Sequence, residues 1–478
     1  MLLRLVEVIA VAVLAIVASS HFGYADGARI TAAYLVAYLV PLTVLKRARG
    51  TSHAAHLVLL LIAIFLAWVS FDSLMRWVRL EGYSLQRPNL DGDARQYYKW
   101  ALYHFDGSVE PTQVVFSGFP LMMVGLWKML GLSVVWPQAM NQMCTLTSVV
   151  LTGMTTRRVL AGRVSRSPEG LVLGGMLLML LLPYYLMSGI CILKEGILFL
   201  SVAMAGYSLA SMVTNDENRH HLWRDIALFV VACLLMTFVR TTFLYVLLLG
   251  VVVMTLPHWR RDWMLALFML AVFFTALMVG DHYSSYSFGR HALIVQGGEA
   301  MQECYVISDS QRFYNELLDN YFLYSPMHRI AMLPFTMAVQ FIIPFPWTFY
   351  EAHTFVNMVS RLTWGWYLVG GIAMFYYLFL SWRRRHNMGS WAWWPALSFA
   401  AIAYIMAGSV ARYVLPIEPL FVPVAVFVLC RVYEGRYRKS FLAWATAFVI
   451  VLAAALLFYH SVQLGHHPDL FPGFPGTN

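Results

Sequence analysis

The stretch Asp91-Gly92-Asp93-Ala94-Arg95-Gln96-Tyr97-Tyr98-Lys99-Trp100-Ala101 is the most polar, carboxylate-bearing segment close to an apolar run in this chain. Two carboxylates separated by one residue can serve proton transfer, one as base and the other as its modulator. Asp93, Tyr97 and Ala101 recur at i, i+4 and i+8, so a helix places them on one face. The plain alternative is that Asp91 or Asp93 only caps a surface helix. An Asp-x-Asp pair also suits a divalent metal, but two carboxylates alone make a thin donor set for a hard cation. No metal is expected, with an ion at Asp91 and Asp93 as the lesser alternative.

Three bases in distant apolar surroundings could answer those acids: Lys194, Arg240 and Arg412. Glu195 follows Lys194, and Tyr413 follows Arg412. Charges inside or beside membrane spans are costly and are functional candidates by default. Each also has a structural reading. Lys194 and Glu195 could be a snorkelling pair at the interface. Arg240 could pair with Glu195 for structure alone, and Arg412 could be an interface anchor beside Tyr413.

The elements that must position these residues are membrane helices. Of 478 residues, 60% are hydrophobic and 12% charged; a soluble domain carries roughly 25% charged residues. Apolar runs of about 18 residues or more recur from end to end, each long enough to cross a hydrocarbon core of about 30 Å. The fold class is all-α: a polytopic helical membrane protein. The net charge of +9 reflects Lys and Arg clusters at helix ends, as the positive-inside bias produces, and does not point to nucleic acid. Cys144, Cys191, Cys233, Cys304 and Cys430 show neither metal-ligand spacing nor a disulfide framework. The adjacent pairs His220-His221 and His466-His467 face different ways on a helix and read as surface residues.

Taken in order, Leu2–Ser20 reads as a retained helix without a cleavage site, joined to Ile30–Leu45 by a short polar turn. Lys46, Arg47 and Arg49 mark the cytoplasmic side. His56–Trp77 crosses outward and places Leu80–Gln113, with Asp91 and Asp93, outside. Phe119–Leu130 is 12 residues, too short to span, and is expected along the outer interface below the acidic loop. Val134–Met154 runs inward to Arg157, Arg158, Arg163 and Arg166. Leu171–Leu186 crosses outward to a turn carrying Tyr184, Tyr185 and Ser188. The chain returns over about Gly189–Met212, with Lys194 and Glu195 in the outer part of that helix. Ile226–Leu256 is 31 residues with Arg240 in the middle; two short helices meeting at the outer face around Arg240 avoid burying it at the bilayer centre.

Trp263–Gly280 crosses outward to the long polar loop His282–Met327. Ile330–Trp347 is interrupted by Pro334, Pro344 and Pro346 and reads as kinked or re-entrant. Leu362–Trp382, Trp391–Gly408, Pro416–Leu429 and Phe441–Tyr459 complete about 13 spans. Residues 1–50 are two extra N-terminal helices, and residues 51–478 form the main transmembrane domain, with outer loops at 79–133 and 281–329.

This topology uses only span lengths and Lys/Arg positions. It nevertheless places Asp91, Asp93, Lys194, Glu195, Arg240 and Arg412 at one membrane face. Such a set suits an anionic phosphate whose lipid tail stays in the bilayer. The bases neutralise the phosphate and stabilise it as a leaving group, while one carboxylate takes a proton from an acceptor hydroxyl. Phosphate leaves without protonation, so one base suffices, in contrast to the two carboxylates of a glycosidase.

Asp93-x-x-x-Tyr97-x-x-x-Ala101, Gly118-Phe119-Pro120-Leu121 followed by Lys128 and Gly131, Leu193-Lys194-Glu195, and Arg412-Tyr413-x-x-Pro416 together resemble the GT-C superfamily of polytopic glycosyltransferases. Within it the chain is similar to the protein O-mannosyltransferase and aminoarabinose-transferase-like families. The likeness covers most of the region from about Ser73 to Leu429. It implies an inverting transfer from a polyprenyl-phosphate sugar, with Asp93 as the catalytic carboxylate and Asp91 beside it. Lys194, Arg240 and Arg412 would bind the donor phosphate, with Glu195, Tyr97 and Tyr413 in support. Three helices precede the acidic loop here where family members usually have one, and Gly92 separates the two acids.

The implied partners are the lipid-linked donor, membrane lipids, and a glycan, lipid or protein acceptor. The implied location is a bacterial inner membrane with the site on its extracytoplasmic face. Two other functions fit the same charges. One is a polymerase or ligase acting on lipid-linked oligosaccharides, with the His282–Met327 loop holding the glycan. The other is a transporter of lipid-linked sugars, which calls for mid-membrane charges and a pseudo-symmetric repeat that the sequence lacks.

Overall fold

A computed structural model describes residues 2–47, 52–90, 92–107, 118–188, 191–214, 222–240, 243–255, 364–378, 380, 388–405 and 414–465, and scattered positions between 263 and 341. Asp91, Arg412, Tyr413 and the His282–Met327 loop lie outside the described residues. Among the described residues the chain is helical, with no strand. Among the described residues five helices are long and apolar enough to cross a membrane, and six if one bent pair is counted. The chain is an all-α, membrane-embedded protein. It divides into two compact units, Met1–Val426 and Phe427–Asn478.

In the first unit, α1 (Leu2–Arg47) doubles back at Gly23, whose φ of 79° and ψ of 166° are non-helical. That left-handed φ is strained for a side chain with Cβ. The two halves run antiparallel: the Tyr38 hydroxyl donates to Glu7 Oε1 at 2.6 Å, and Gly27 packs against Ser19 nearer the turn. The expected pair of N-terminal helices with a short turn is therefore what forms.

Helix α2 (His53–Val78) starts on a Ser52 cap that accepts the Ala55 amide. The His21 and Phe22 rings beside the Gly23 turn meet Phe71, toward the other end of α2. After a pinned loop come α3 (Gly92–Asp106) and α4 (Gly118–Leu130). Helix α5 (Val135–Leu160) follows α4 after a bend of 116°, so α4 does not prolong that span.

Helix α6 (Pro168–Leu180) is capped by Ser167, and the six-residue α7 (Pro183–Ser188) follows. The single Leu171–Leu186 span read from the sequence is therefore corrected: it is broken before Pro183, which lacks an N–H to continue the ladder. Next are α8 (Glu195–Thr214), α9 (Leu222–Val239) and α10 (Leu244–Thr255). Helix α11 (Trp364–Gly370) runs into a π-helical turn, Gly371–Tyr377. Then come α12 (Gly389–Ile405) and, after a short 3₁₀ turn, α13 (Glu418–Tyr433). The second unit starts in the last turns of α13 and holds α14 (Arg438–Gly465).

Helix α5 is central to the first unit. Gln138, Asn141, Gln142, Thr145, Ser148, Thr152 and Thr156 are all buried on it, a polar stripe at helical spacing. Most of its hydroxyls are satisfied inside the helix: Thr145, Thr152 and Thr156 each donate to the carbonyl four residues back, at 2.7–2.9 Å. Small and polar side chains let helices approach closely in lipid, where no hydrophobic drive favours association. Neighbouring helices contact α5 at matched heights. Asn141 on α5 meets the entry to α8, and Arg158 on α5 meets Tyr207 and Ser211 on α8. The two helices therefore run parallel.

Candidate functional site

Helix α3 carries the acidic stretch. Asp93 lies in its first turn, where a carboxylate complements the helix dipole, and its side chain is exposed. One turn on, Tyr97 is 4% exposed, and its ring meets Phe119 edge-on at 5.8 Å. Tyr98 packs on Trp127 at 4.9 Å, and Phe105 meets the same indole at 5.7 Å. Helix α3 thus rests on α4, as the sequence anticipates. The Tyr98 hydroxyl donates to the Gln86 carbonyl at 3.0 Å, and burial pushes it well above its ordinary pKa. It remains a donor and ties α3 to the loop after α2. That loop is fixed in turn by the Val134 amide on the Leu85 carbonyl at 2.8 Å.

Lys194 reaches the same place from 97 residues away. Its Nζ lies over the Tyr97 ring, 5.6 Å from the centroid. A cation above an aromatic face is attracted by the ring quadrupole. The sequence reading placed Lys194 and Glu195 within the returning helix. They stand instead at its beginning: Cys191–Lys194 are non-helical, and Glu195 is the first residue of α8. The cause is Asn141. Its amide donates to the carbonyls of Cys191 at 2.5 Å and Leu193 at 2.7 Å, acceptors that a longer helix would offer to its own backbone. Glu195 is 2% exposed, and Oε2 has no hydrogen-bond partner among the described residues.

Arg240 sits between two helices, as the sequence reading has it, one of 18 residues and one of 12. Helix α9 ends at Val239, Phe243 makes one 3₁₀ step, and α10 starts at Leu244. The guanidinium carbon lies 5.6 Å from the Phe243 ring centroid. Two residues earlier, Phe238 packs directly on Gly118 through both its ring and its carbonyl. A Cβ at Gly118 would collide with both. The glycine of the Gly118-Phe119-Pro120-Leu121 motif therefore lets α4 approach the end of α9.

Four distant segments converge in this way. Phe119 links α4 to Tyr97, Tyr97 links α3 to Lys194, and Gly118 links α4 to the Phe238–Arg240 corner. Asp91, Arg412 and Tyr413 lie outside the described residues. Among the described residues no group of three or more His, Cys, Asp or Glu could hold a metal ion.

The sequence reading missed Asn141, although its place in the polar stripe of α5 was visible. It also missed Glu418, the first residue of α13, which is 3% exposed with Oε2 unpartnered among the described residues. Tyr185, expected in an outer turn, is instead fully buried. It shares a 2.7 Å hydrogen bond with Ser148 and stacks on Phe199.

No protein-family model matches the chain, and neither a curated protein nor a solved structure does. A functional reading therefore rests on the residues and their arrangement.

Proposed function

We propose that the protein is a membrane glycosyltransferase of GT-C type. It moves a sugar from a polyprenyl-phosphate donor to an acceptor hydroxyl at the outer membrane face, with inversion. The observation that carries this reading is the packing of Tyr97 between Phe119 and Lys194, together with Gly118 against Phe238 beside Arg240. This puts the acidic helix, the Lys194-Glu195 turn and the Arg240 corner around one junction at the ends of apolar helices.

In the proposed reaction the acceptor oxygen attacks the anomeric carbon as its bond to the phosphate oxygen breaks. The electron pair leaves with the polyprenyl phosphate, and the acceptor proton passes to Asp93. Asp91 modulates that base or holds the acceptor sugar. Lys194, Arg240 and Arg412 neutralise the charge that develops on the phosphate. Glu195 and Tyr97 fix Lys194, and Tyr413 supports Arg412. An exposed Asp93 one turn from a buried Tyr97 suits an acceptor arriving from water and a donor arriving from lipid. The acceptor is a glycan, lipid or protein, and the membrane is the bacterial inner membrane, with the site extracytoplasmic.

The test is release of polyprenyl phosphate from polyprenyl-phosphate sugars in proteoliposomes supplied with acceptor. Asp93→Asn should abolish release while the variant melts like the wild-type protein. Undiminished transfer by that variant would remove Asp93 from the mechanism. A ladder of products in place of a single addition would favour the polymerase reading.

A further inference from the structure

Two acceptor oxygens near the start of α8 lack donors among the described residues. Asn141 Oδ1 and Glu195 Oε2 are both sealed from the surface, and neither has a hydrogen-bond partner among the described residues. The two residues are 0% and 2% exposed. They come from different elements, Asn141 from the second turn of α5 and Glu195 from the first position of α8. The Asn141 amide, engaged on the Cys191 and Leu193 carbonyls, fixes which way its oxygen faces. Oδ1 lies against Gly196, where an added Cβ would come within 2.9 Å of it. Gly196 is the residue after Glu195, so both residues stand at the start of α8.

The helix dipole accounts for a carboxylate at this end of α8, but it supplies no donor to Oε2. Buried polar atoms are as a rule hydrogen-bonded. Both of these are acceptors, so the partner they fit is a donor.

We propose that Asn141 Oδ1 and Glu195 Oε2 receive hydroxyl groups of the sugar on the lipid phosphate and so determine donor specificity. The proposal rests on the glycosyltransferase reading and names the sugar-recognition element within it. The chemistry separates the two parts of the donor. A lipid phosphate offers acceptor oxygens and negative charge, which suit Lys194 and Arg240 and are repelled by Glu195. A sugar hydroxyl offers the donor that Glu195 and Asn141 lack. Sites built to hydrogen-bond a hydroxyl discriminate strongly against ligands without it, because their own buried groups are then left unpaired. The pair should therefore add affinity for the sugar and none for the bare lipid phosphate.

The experiment is equilibrium binding to the full chain in nanodiscs. The probes are undecaprenyl phosphate alone and undecaprenyl phosphate carrying glucose, mannose or N-acetylglucosamine. Wild type should bind at least one sugar-bearing probe about tenfold or more tighter than the bare lipid. Glu195→Leu, which keeps the size and removes the charge, should lose that margin when each variant's own affinity for the bare lipid is taken as the reference. Glu195→Gln, which keeps an acceptor oxygen, should retain part of the margin and serves if Glu195→Leu melts early. A margin that survives both variants overturns the proposal, as does a wild-type protein that gains nothing from any sugar. If undecaprenyl phosphate itself does not bind, the lipid-phosphate reading fails and this proposal with it. Normal binding of the bare lipid with an unchanged sugar margin fails this proposal alone.

Discussion

Helices α5 and α8 run side by side, and each end of the pair is tied by polar side chains, but the two ties are unlike. At the Arg158 end, which the sequence reads as cytoplasmic, the acid is fully engaged. Asp225, 1% exposed, accepts the Ser211 hydroxyl on one oxygen and the Arg224 guanidinium at 3.0 Å on the other. Arg158 donates to Ser211 and to the Tyr207 hydroxyl, the latter at 2.6 Å, and lies 4.3 Å over the Tyr207 ring. At the Asn141 end, the acid Glu195 has an oxygen without a partner among the described residues, and Asn141 has another. Similar residue types thus make a clamp whose acid is engaged on both oxygens at one end and a sealed set of unpartnered acceptors at the other. A clamp joins helices; under the proposal above, the unpartnered acceptors receive the donor sugar.

Substitutions can break or sharpen that contrast. The largest effect is expected at Asp93. Asp93→Asn should lower sugar transfer by about 10²–10⁴-fold, the usual contribution of a positioned base, with unchanged melting. Asp225→Ala should do the reverse. It leaves Ser211 and the half-exposed Arg224 without their acid and should cost roughly 1–3 kcal/mol of stability, read as early melting, with activity per folded molecule retained. If Asp225→Ala instead abolishes transfer in well-folded protein, the two ends do not divide into clamp and site.

Lys194→Ala and Arg240→Ala come next. Each removes a charge-assisted contact worth about 1.5–3 kcal/mol. Each should therefore weaken undecaprenyl phosphate binding by roughly 10–100-fold in a titration. The smallest effect belongs to Tyr97→Leu, which keeps an apolar contact for Phe119 but removes the ring beneath Lys194. A cation–π contact of about 0.5–2 kcal/mol predicts a loss of a few-fold up to about 30-fold in the same titration.

The membrane class, the N-terminal hairpin, the short α4 and the break at Arg240 were all legible in the sequence. Each follows from a local cause: span length, a polar stretch between apolar runs, or a charge that cannot sit at mid-bilayer. The start of α8 was not legible, because nothing near Lys194 and Glu195 ends a helix. The cause is Asn141, 53 residues earlier, which takes two backbone carbonyls. The break before Pro183 was legible in principle but was overridden by the length of the surrounding apolar run. Tyr185 was misplaced for a related reason. A tyrosine near a span end usually marks the interface, whereas here Ser148 satisfies its hydroxyl inside the bundle. Of the candidate site, sidedness alone puts Asp93, Lys194 and Arg240 at one face in the sequence reading, and the Lys194 contact with the Tyr97 ring joins two of those segments. The residues that build it, Phe119, Gly118, Phe238 and Asn141, are recognisable only once the helices are packed.

The most direct measurement is a structure of the protein in nanodiscs with undecaprenyl phosphate bound. The glycosyltransferase account predicts the phosphate within about 4 Å of the Lys194 ammonium and the Arg240 guanidinium, at charge-pair distance, with Asp93 facing the same space. A phosphate held at the Arg158 end, or anywhere remote from Lys194, Arg240 and Asp93, would contradict it.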